Sequence, residues 1–396
     1  MDEVPREVWI TGMGIVSCLG EGAEAHWQGF TEGRLNVDRE QFAPCMVHPL
    51  APLNLDRQIP KKSDQRQMEG WQRIGTYAAG LALEDAGLKG NAELLARTDM
   101  IVAASGGERD RAVDLAIVNK KPKSANPGIF LNETLMSDLR PTLFLAQLSN
   151  LLAGNISIVH GVTGSSRTFM GEEAAGVDAV RIAWARIVAG QSDLALVGGS
   201  YNGERTDLLV LYSSGGQLLQ GPFRPVWERS SSPGIVLGSL GTFLVLEARG
   251  HAEERGQKPL ARLAGVRSER SSRPASAITA SLARMWQQLA TERSTARMAI
   301  ISGATGTEPA TSEERTWLKG VELPVRATGS RLGHGFEPQF IMNIALATLV
   351  LGHGKLFPAF DSSGLEQPHQ GPLNQVAVTS VGHWRGEGIA LVEAVK

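Results

Sequence analysis

What is scarce in this sequence narrows it first. Only two cysteines, Cys18 and Cys45, occur in 396 residues. Two in so long a chain build no disulfide framework, and a reducing cytoplasm is the expected compartment. No stretch of about 18 apolar residues occurs, so no membrane span is expected. The opening MDEVPREVWITGMGIVS carries an apolar run too short and too interrupted for a secretory leader. Charge of either sign is not in excess: 39 Lys and Arg stand against 41 Asp and Glu. That excludes the bulk basic field that draws nucleic acid. The eight histidines and two cysteines are scattered without metal-ligand spacing, so neither metal nor cofactor is expected. GSLGTF lies between strand-like segments instead of opening a helix, so it is no nucleotide fingerprint.

What is present is an ordinary globular composition, 42% hydrophobic and 20% charged, with 45 glycines. EVWITGMGIVS reads as a buried strand running into a glycine turn, and AEAHWQGFTEG as a helix. MEGWQRIGTYAAGLALEDAG has helical apolar spacing and ends in Gly. TDMIVAASGGERD and SDLALVGGSYNGE read as strands ending in glycines. RPTLFLAQLSNLLAGN reads as a helix, ISIVHG as a strand, and GIVLGSLGTFLVLEARG as two strands joined by a turn. The second half repeats this grammar. ARMAIISGATGTE parallels TDMIVAASGGERD, NQVAVTSVGHWRGEG parallels SDLALVGGSYNGE, and GIALVEAV parallels TFLVLEAR. Such self-similarity indicates two copies of one strand-and-helix unit, with mostly parallel sheets covered by helices. SERSSRPAS is the exposed crossover between them, and two unrelated α/β domains are the alternative.

Taken in order, VWITGMGIVSCLGEGAEAHWQGF, RIGTYAAGLALEDAGL, LSNLLAGNISIVHGVTG, SDLALVGGS, FRPVWERSSSPGIVLGSLGTFLVLEARGHAEERG and SGATGTE…GSRLGHG resemble the β-ketoacyl-acyl-carrier-protein synthases. The resemblance covers essentially the whole chain. It implies a thiolase-like duplicated five-layer α/β/α/β/α fold. Residues 1–250 would form the N-terminal half, including the nucleophile-position helix and the interface segments, and 251–396 the C-terminal half, packed as one body. It also implies a dimer whose interface runs through 140–161.

The same resemblance places a nucleophilic Cys at the start of a buried helix, where the helix end favours the thiolate. In TFMGEEAAG that position holds Glu173. A carboxylate is a poor acyl acceptor from a thioester, because the mixed anhydride lies uphill. Glu173 is expected either as a direct ligand or as a buried anion paired with Arg167 or His334. Of the family's two histidines, the first position is occupied by Gly303 and the second is kept as His334. A Lys position before it is Gly329. The gate loop reads Gly382, His383, Trp384, Arg385, with His383 in place of the gating Phe. The small-residue shell, Gly171, Ala174, Ala175, Gly176, Gly198, Gly199 and Gly333, is retained.

A kept shell around lost chemistry resembles the chain-length-factor subunits of heterodimeric ketosynthases. It also resembles the second ketosynthase homologue of alphaproteobacterial clusters for the very-long-chain acyl group of lipid A. The implied partners are an acyl carrier protein and a Cys-bearing ketosynthase, or a second copy as homodimer. Lys61, Lys62, Arg66 and Arg73 lie where the family's carrier-docking cations lie, and would steer an acidic carrier. As a bland reading they form a solvated helix face, and the basic loop NKKPKSANPG is simply exposed. Two rival functions remain: a malonyl-carrier-protein decarboxylase or atypical ketosynthase active on its own, and a carrier-binding assembly protein.

Overall fold

The computed structural model describes residues 5–140, 143, 147–294 and 297–395. Its strands in chain order are β1 (Val8–Ser17), β2 (Gly20–Glu21), β3 (Val47–His48), β4 (Asp99–Ala103), β5 (Ser166–Phe169), β6 (Leu194–Tyr201), β7 (Leu237–Gly238), β8 (Leu240–Ala248), β9 (Ala261–Glu269), β10 (Met298–Ser302), β11 (Val325–Ala327), β12 (Gln375–Val381) and β13 (Glu387–Glu393). Along the large sheet the order is β5-β4-β6-β8-β1-β9-β13-β12-β10-β11.

That order is a mirror about the β1–β9 junction. On one side β5, β4 and β6 run parallel, and β8 and β1 return antiparallel. On the other β11, β10 and β12 run parallel, and β13 and β9 return antiparallel. So β10 answers β4, β12 answers β6 and β13 answers β8, the pairs that repeat in the sequence. Among the described residues the two runs pair through Trp9↔Arg262 and Ile10↔Ala261. The expectation of mostly parallel sheets is corrected: along its path each run has two parallel and two antiparallel ladders. In each, the strand that ends the repeat, β8 or β13, turns back on the inner side of the parallel strands.

Two helices carry the centre of the molecule. Residues 339–351 of helix Gln339–His353 are all buried. A helix that is apolar on every face, as IMNIALATLVL is, must be enclosed on every face. It packs against helix Glu173–Val188 and against β8 and β12, so these two helices form the middle of the apolar core. Helix Gly70–Asp85 covers β1, β6 and β8 from the other side. It begins with a capping box, Glu69 and Gln72 satisfying each other's backbone N–H groups.

Two local readings change. ISIVHG is not a strand; it ends helix Leu151–His160. Its β-branched content suggests extension, but Leu152, Ala153 and Ile156 are the buried positions, a helical spacing, while Ile158 is exposed. The expected hairpin of GIVLGSLGTFLVLEARG is also absent. β7 pairs with β3 in a separate two-stranded sheet, and β8 pairs with β1 and β6.

Gly176 fixes how closely the core helices approach. A Cβ at this position would stand 2.1 Å from the backbone oxygen of Glu337. Gly352, in the same core helix pair but facing outward, has open space. Gly176→Ala is therefore expected to cost on the order of 1–3 kcal/mol. Gly352→Ala is expected to be neutral or to stabilise by about 0.4–1 kcal/mol. Urea unfolding midpoints of the two variants check the contrast.

Candidate functional site

Helix Glu173–Val188 starts abruptly. Glu172, just before it, has φ 59° and ψ −139°, a conformation that side-chain-bearing residues rarely adopt. The turn delivers two consecutive carboxylates: the Glu173 side chain is 2% exposed and that of Glu172 37%.

Two histidines receive Glu173. His334 donates from Nε2 to Oε1 at 2.8 Å. His383 donates from its backbone N–H to Oε1 at 3.2 Å, and its Nδ1 lies 3.0 and 3.2 Å from the two oxygens. An ionised carboxylate only accepts, so this network assigns each ring a proton on the nitrogen that faces Glu173. Burial by itself would raise the Glu173 carboxyl. The charge on His383 and the hydrogen bonds from both rings outweigh it and hold the group below the ordinary carboxylate range. Burial would lower His383, but Glu173 and then Glu172 outweigh that and raise it. Glu172 Oε1 lies 3.7 Å from its Nε2. Of the two partners expected for Glu173, His334 is the one present, and Arg167 is exposed on β5. His383 is a second partner that its sequence position marked only as a gate residue.

The elements around the cluster hold it in place. Gly333 has φ 71°, and a Cβ there would meet the His48 ring at 2.8 Å and Gly238 at 2.9 Å. This lets His334 bridge to β7, donating its N–H to Val236 and accepting from Gly238. The loop bearing His383 is closed by Gly382 N–H to Gly386 O, 2.8 Å. Arg273 donates to Gly382 O at 2.8 Å and pairs with the buried Glu387. Gly386 lies on the first helical turn, where a Cβ would come within 2.8 Å of that of Ala174. Of the four gate residues, His383 is buried and Trp384 is 65% exposed, with Arg385 exposed beside it. Phe336 packs edge-on to both imidazoles and stacks on Tyr212. Beside it Glu337 is fully buried. Burial, with added repulsion from Glu173 and Glu172, pushes its carboxyl up to about 8, and its Oε2 has no hydrogen-bond partner.

Gly303 and Gly329 supply backbone alone. Gly303 follows β10 and donates its N–H to Thr379 O; a Cβ would stand 2.7 Å from that oxygen. A histidine does not fit there unless β12 moves. Gly329 opens the short helix Gly329–Leu332, where a Cβ would lie 3.2 Å from Ala304 O. Next to Gly303 is a group that no motif signals: Glu314, fully buried, accepts from Ser302 Oγ at 2.8 Å and Thr379 Oγ1 at 2.5 Å. The candidate docking cations Lys61, Lys62 and Arg66 are exposed at helix Lys62–Gln67, with Lys62 paired to Asp56. Arg73 is turned inward and donates to Gln65 O.

A sheet mirrored about its centre, with a buried helix N-terminus facing a Gly-His turn and a Gly-rich loop, defines a thiolase-like fold. The solved structures agree. "The ishigamide ketosynthase/chain length factor" superposes with a TM-score of 0.81 at 19% identity, covering 99% of this chain and 100% of that one. A β-ketoacyl synthase from Burkholderia phymatum STM815 gives 0.78 at 19% identity over the same shares. An acyl-carrier protein in complex with its ketosynthase bound to the hexaketide (AntDE:AntF) gives 0.77 at 19% identity, with equal coverage. Residues 5–251 match the family described as beta-ketoacyl synthase, N-terminal domain, and the chain belongs to that family. The 3-oxoacyl-[acyl-carrier-protein] synthase 2 of Vibrio cholerae serotype O1 is 26% identical over 274 residues, 66% of this chain. That of Rhizobium meliloti (strain 1021) is 26% identical over 281 residues, again 66% of this chain. The chain spans less than two thirds of these relatives, 62% and 63% of their lengths.

Two outcomes are expected. Glu173→Ala leaves two buried imidazoles facing an empty position, and loss of a buried ion-pair partner costs roughly 3–5 kcal/mol; urea unfolding measures it. Glu314 gives a pH dependence. Burial pushes its carboxyl from 4.5 up to about 7 in the folded protein. Between those values the unfolded chain gives up a proton that the folded one keeps. Its contribution is therefore full below the unfolded value and is lost as pH rises towards about 7, a loss of roughly 3 kcal/mol. Glu314→Gln should remove that slope in unfolding midpoints taken from about pH 4.5 to about pH 8, and an unchanged slope would refute the assignment.

Proposed function

We propose that this chain is a non-condensing, chain-length-factor-like subunit of a β-ketoacyl-acyl-carrier-protein synthase. It acts on long or very long acyl chains, of the class attached to lipid A, in the cytoplasm. One observation carries this reading: the nucleophile position is a buried carboxylate with both oxygens taken by two histidines. Such a group is already ion-paired, and an acyl group moved onto it from a thioester would form an uphill mixed anhydride. Neither thiol replaces it. Burial pushes Cys18 up to about 12 and raises the Cys45 thiol as well. An independent decarboxylase or condensing enzyme is disfavoured by Gly303, whose surroundings leave no room for a second histidine without displacing Thr379.

Support for a partner comes from the edge at β5, which among the described residues pairs only with β4. Near it Leu148, Ile158 and Met170 are 38%, 73% and 61% exposed. Apolar side chains beside an unpaired strand edge are a surface that soluble proteins cover. Residues 141, 142 and 144–146 of the expected interface segment lie outside the described residues. The partner is a Cys-bearing ketosynthase, and Lys61, Lys62 and Arg66 supply a positive surface for the acyl carrier protein.

Incubation of the protein alone with acyl-carrier-protein is expected to give no covalent mass increment on Glu173, Cys18 or Cys45. Co-expressed with the Cys-bearing ketosynthase, it should run as a heterodimer in native mass spectrometry, and its removal should change product length. Ile158→Asp leaves the isolated chain intact because the side chain is already exposed, but it buries an unpaired carboxylate in the complex, at a cost of several kcal/mol. A homodimer that persists with partner in excess, with product length unaffected, would refute the proposal.

A further inference from the structure

The residues that close the nucleophile position also share another property. One ring nitrogen of His383 and one carboxylate oxygen from each of Glu172 and Glu173 lie within 4.8 Å of one another. Among the described residues this is the one grouping of three or more such donors. Glu172 and Glu173 approach the two ring nitrogens of His383, His334 holds Glu173 from its other side, and a third acid, Glu337, is buried beside them without a partner for its Oε2.

We propose that Glu172, Glu173 and His383 form a site for a divalent transition-metal ion of the zinc class, with His334 orienting Glu173 from the opposite side. The donor set selects the ion: imidazole with carboxylates suits zinc and its neighbours, whereas magnesium and calcium take oxygen alone. Metal bonds of about 2.0–2.2 Å bring tetrahedral ligand atoms to about 3.3–3.5 Å from one another. Glu173 and His383 are already 3.0 and 3.2 Å apart. Glu172, the half-exposed member, is the arm that swings in, and its side is the entry path. Binding replaces the Nδ1 proton of His383, which leaves to solvent. Two carboxylates and one neutral imidazole then balance the doubly charged ion. The positive helix end, worth about half a charge, favours carboxylates in their ionised form.

Two further features fit this site. The hydrogen bond from His334 to Glu173, 2.8 Å, is the kind of outer contact that fixes a ligand's orientation. The turn at Glu172, φ 59°, brings two consecutive carboxylates to the same imidazole. Such an ion ties the start of the core helix to the loop at His383. It reaches beyond the non-condensing reading and does not depend on it.

The full-length protein, stripped with a chelator, is titrated with zinc chloride by calorimetry and by thermal unfolding, with magnesium chloride as the control. One zinc ion per chain is expected, with Tm rising as zinc is added and no response to magnesium. Glu172→Gln and His383→Gln should each weaken binding at least tenfold. Glu172→Gln is half-exposed and preserves the fold, so it keeps the test valid if His383→Gln unfolds. Cobalt in place of zinc should give visible absorption that Glu172→Gln alters. No zinc binding by the folded protein, or binding equal in wild type and Glu172→Gln, overturns the proposal. Heterodimer formation is read separately, so either proposal can fail alone.

Discussion

The buried charge of Glu173 organises this protein's centre. An ion taken out of water costs several kcal/mol unless its partners are close and well aimed. Glu173 has its partners, but they come from 161 and 210 residues further along the chain. Each must be delivered by structure of its own. Gly333 gives His334 a turn no other residue would adopt there, and β7 clips its backbone. Arg273 and Glu387 fasten the base of the loop that brings His383. Three segments thus converge on one carboxylate, and the helix that starts there is one of the two buried at the core.

The same interaction separates this chain from the chemistry its family implies. A helix N-terminus stabilises an anion of any kind. With a thiolate there, that field produces a nucleophile; with Glu173, it produces an ion-pair centre. The loss is coordinated with its surroundings. Gly303 leaves a space that backbone fills, and His383 turns inward to meet the carboxylate. The shell of small residues persists because the helices and loops still need their close approaches, as at Gly176 and Gly386.

The mirrored sheet explains why so little of the chain is free to vary in shape. Each central strand has a counterpart in the other run, and the two middle helices must serve both. Their facing surfaces meet through Gly176 on one side and the buried helix Gln339–His353, entered at Glu337, on the other. The surface carries the edge at β5, the cations around helix Lys62–Gln67, and the exposed Trp384.

Much of the framework was legible in the sequence. Strands β1, β4, β6, β10 and β12 are apolar runs ending in glycines, and helix Gly70–Asp85 shows its spacing and its stop. Their physics is local, so their signal is local. The segment ISIVHG misled because β-branched residues favour extension; its helix is decided by which side chains the core covers. The repeated grammar foretold the paired strands but not the antiparallel returns, which depend on which edges meet. At the site, the order of motifs located Glu173, His334 and the loop. The sequence by itself shows two carboxylates, Glu172 and Glu173, at the start of an apolar helix. Only the tertiary structure decided what Glu173 does, because His383, Arg273, Glu387 and Glu314 act through contacts spanning tens to hundreds of residues. Burial and hydrogen bonding, which set each group's charge, exist only once the chain has folded.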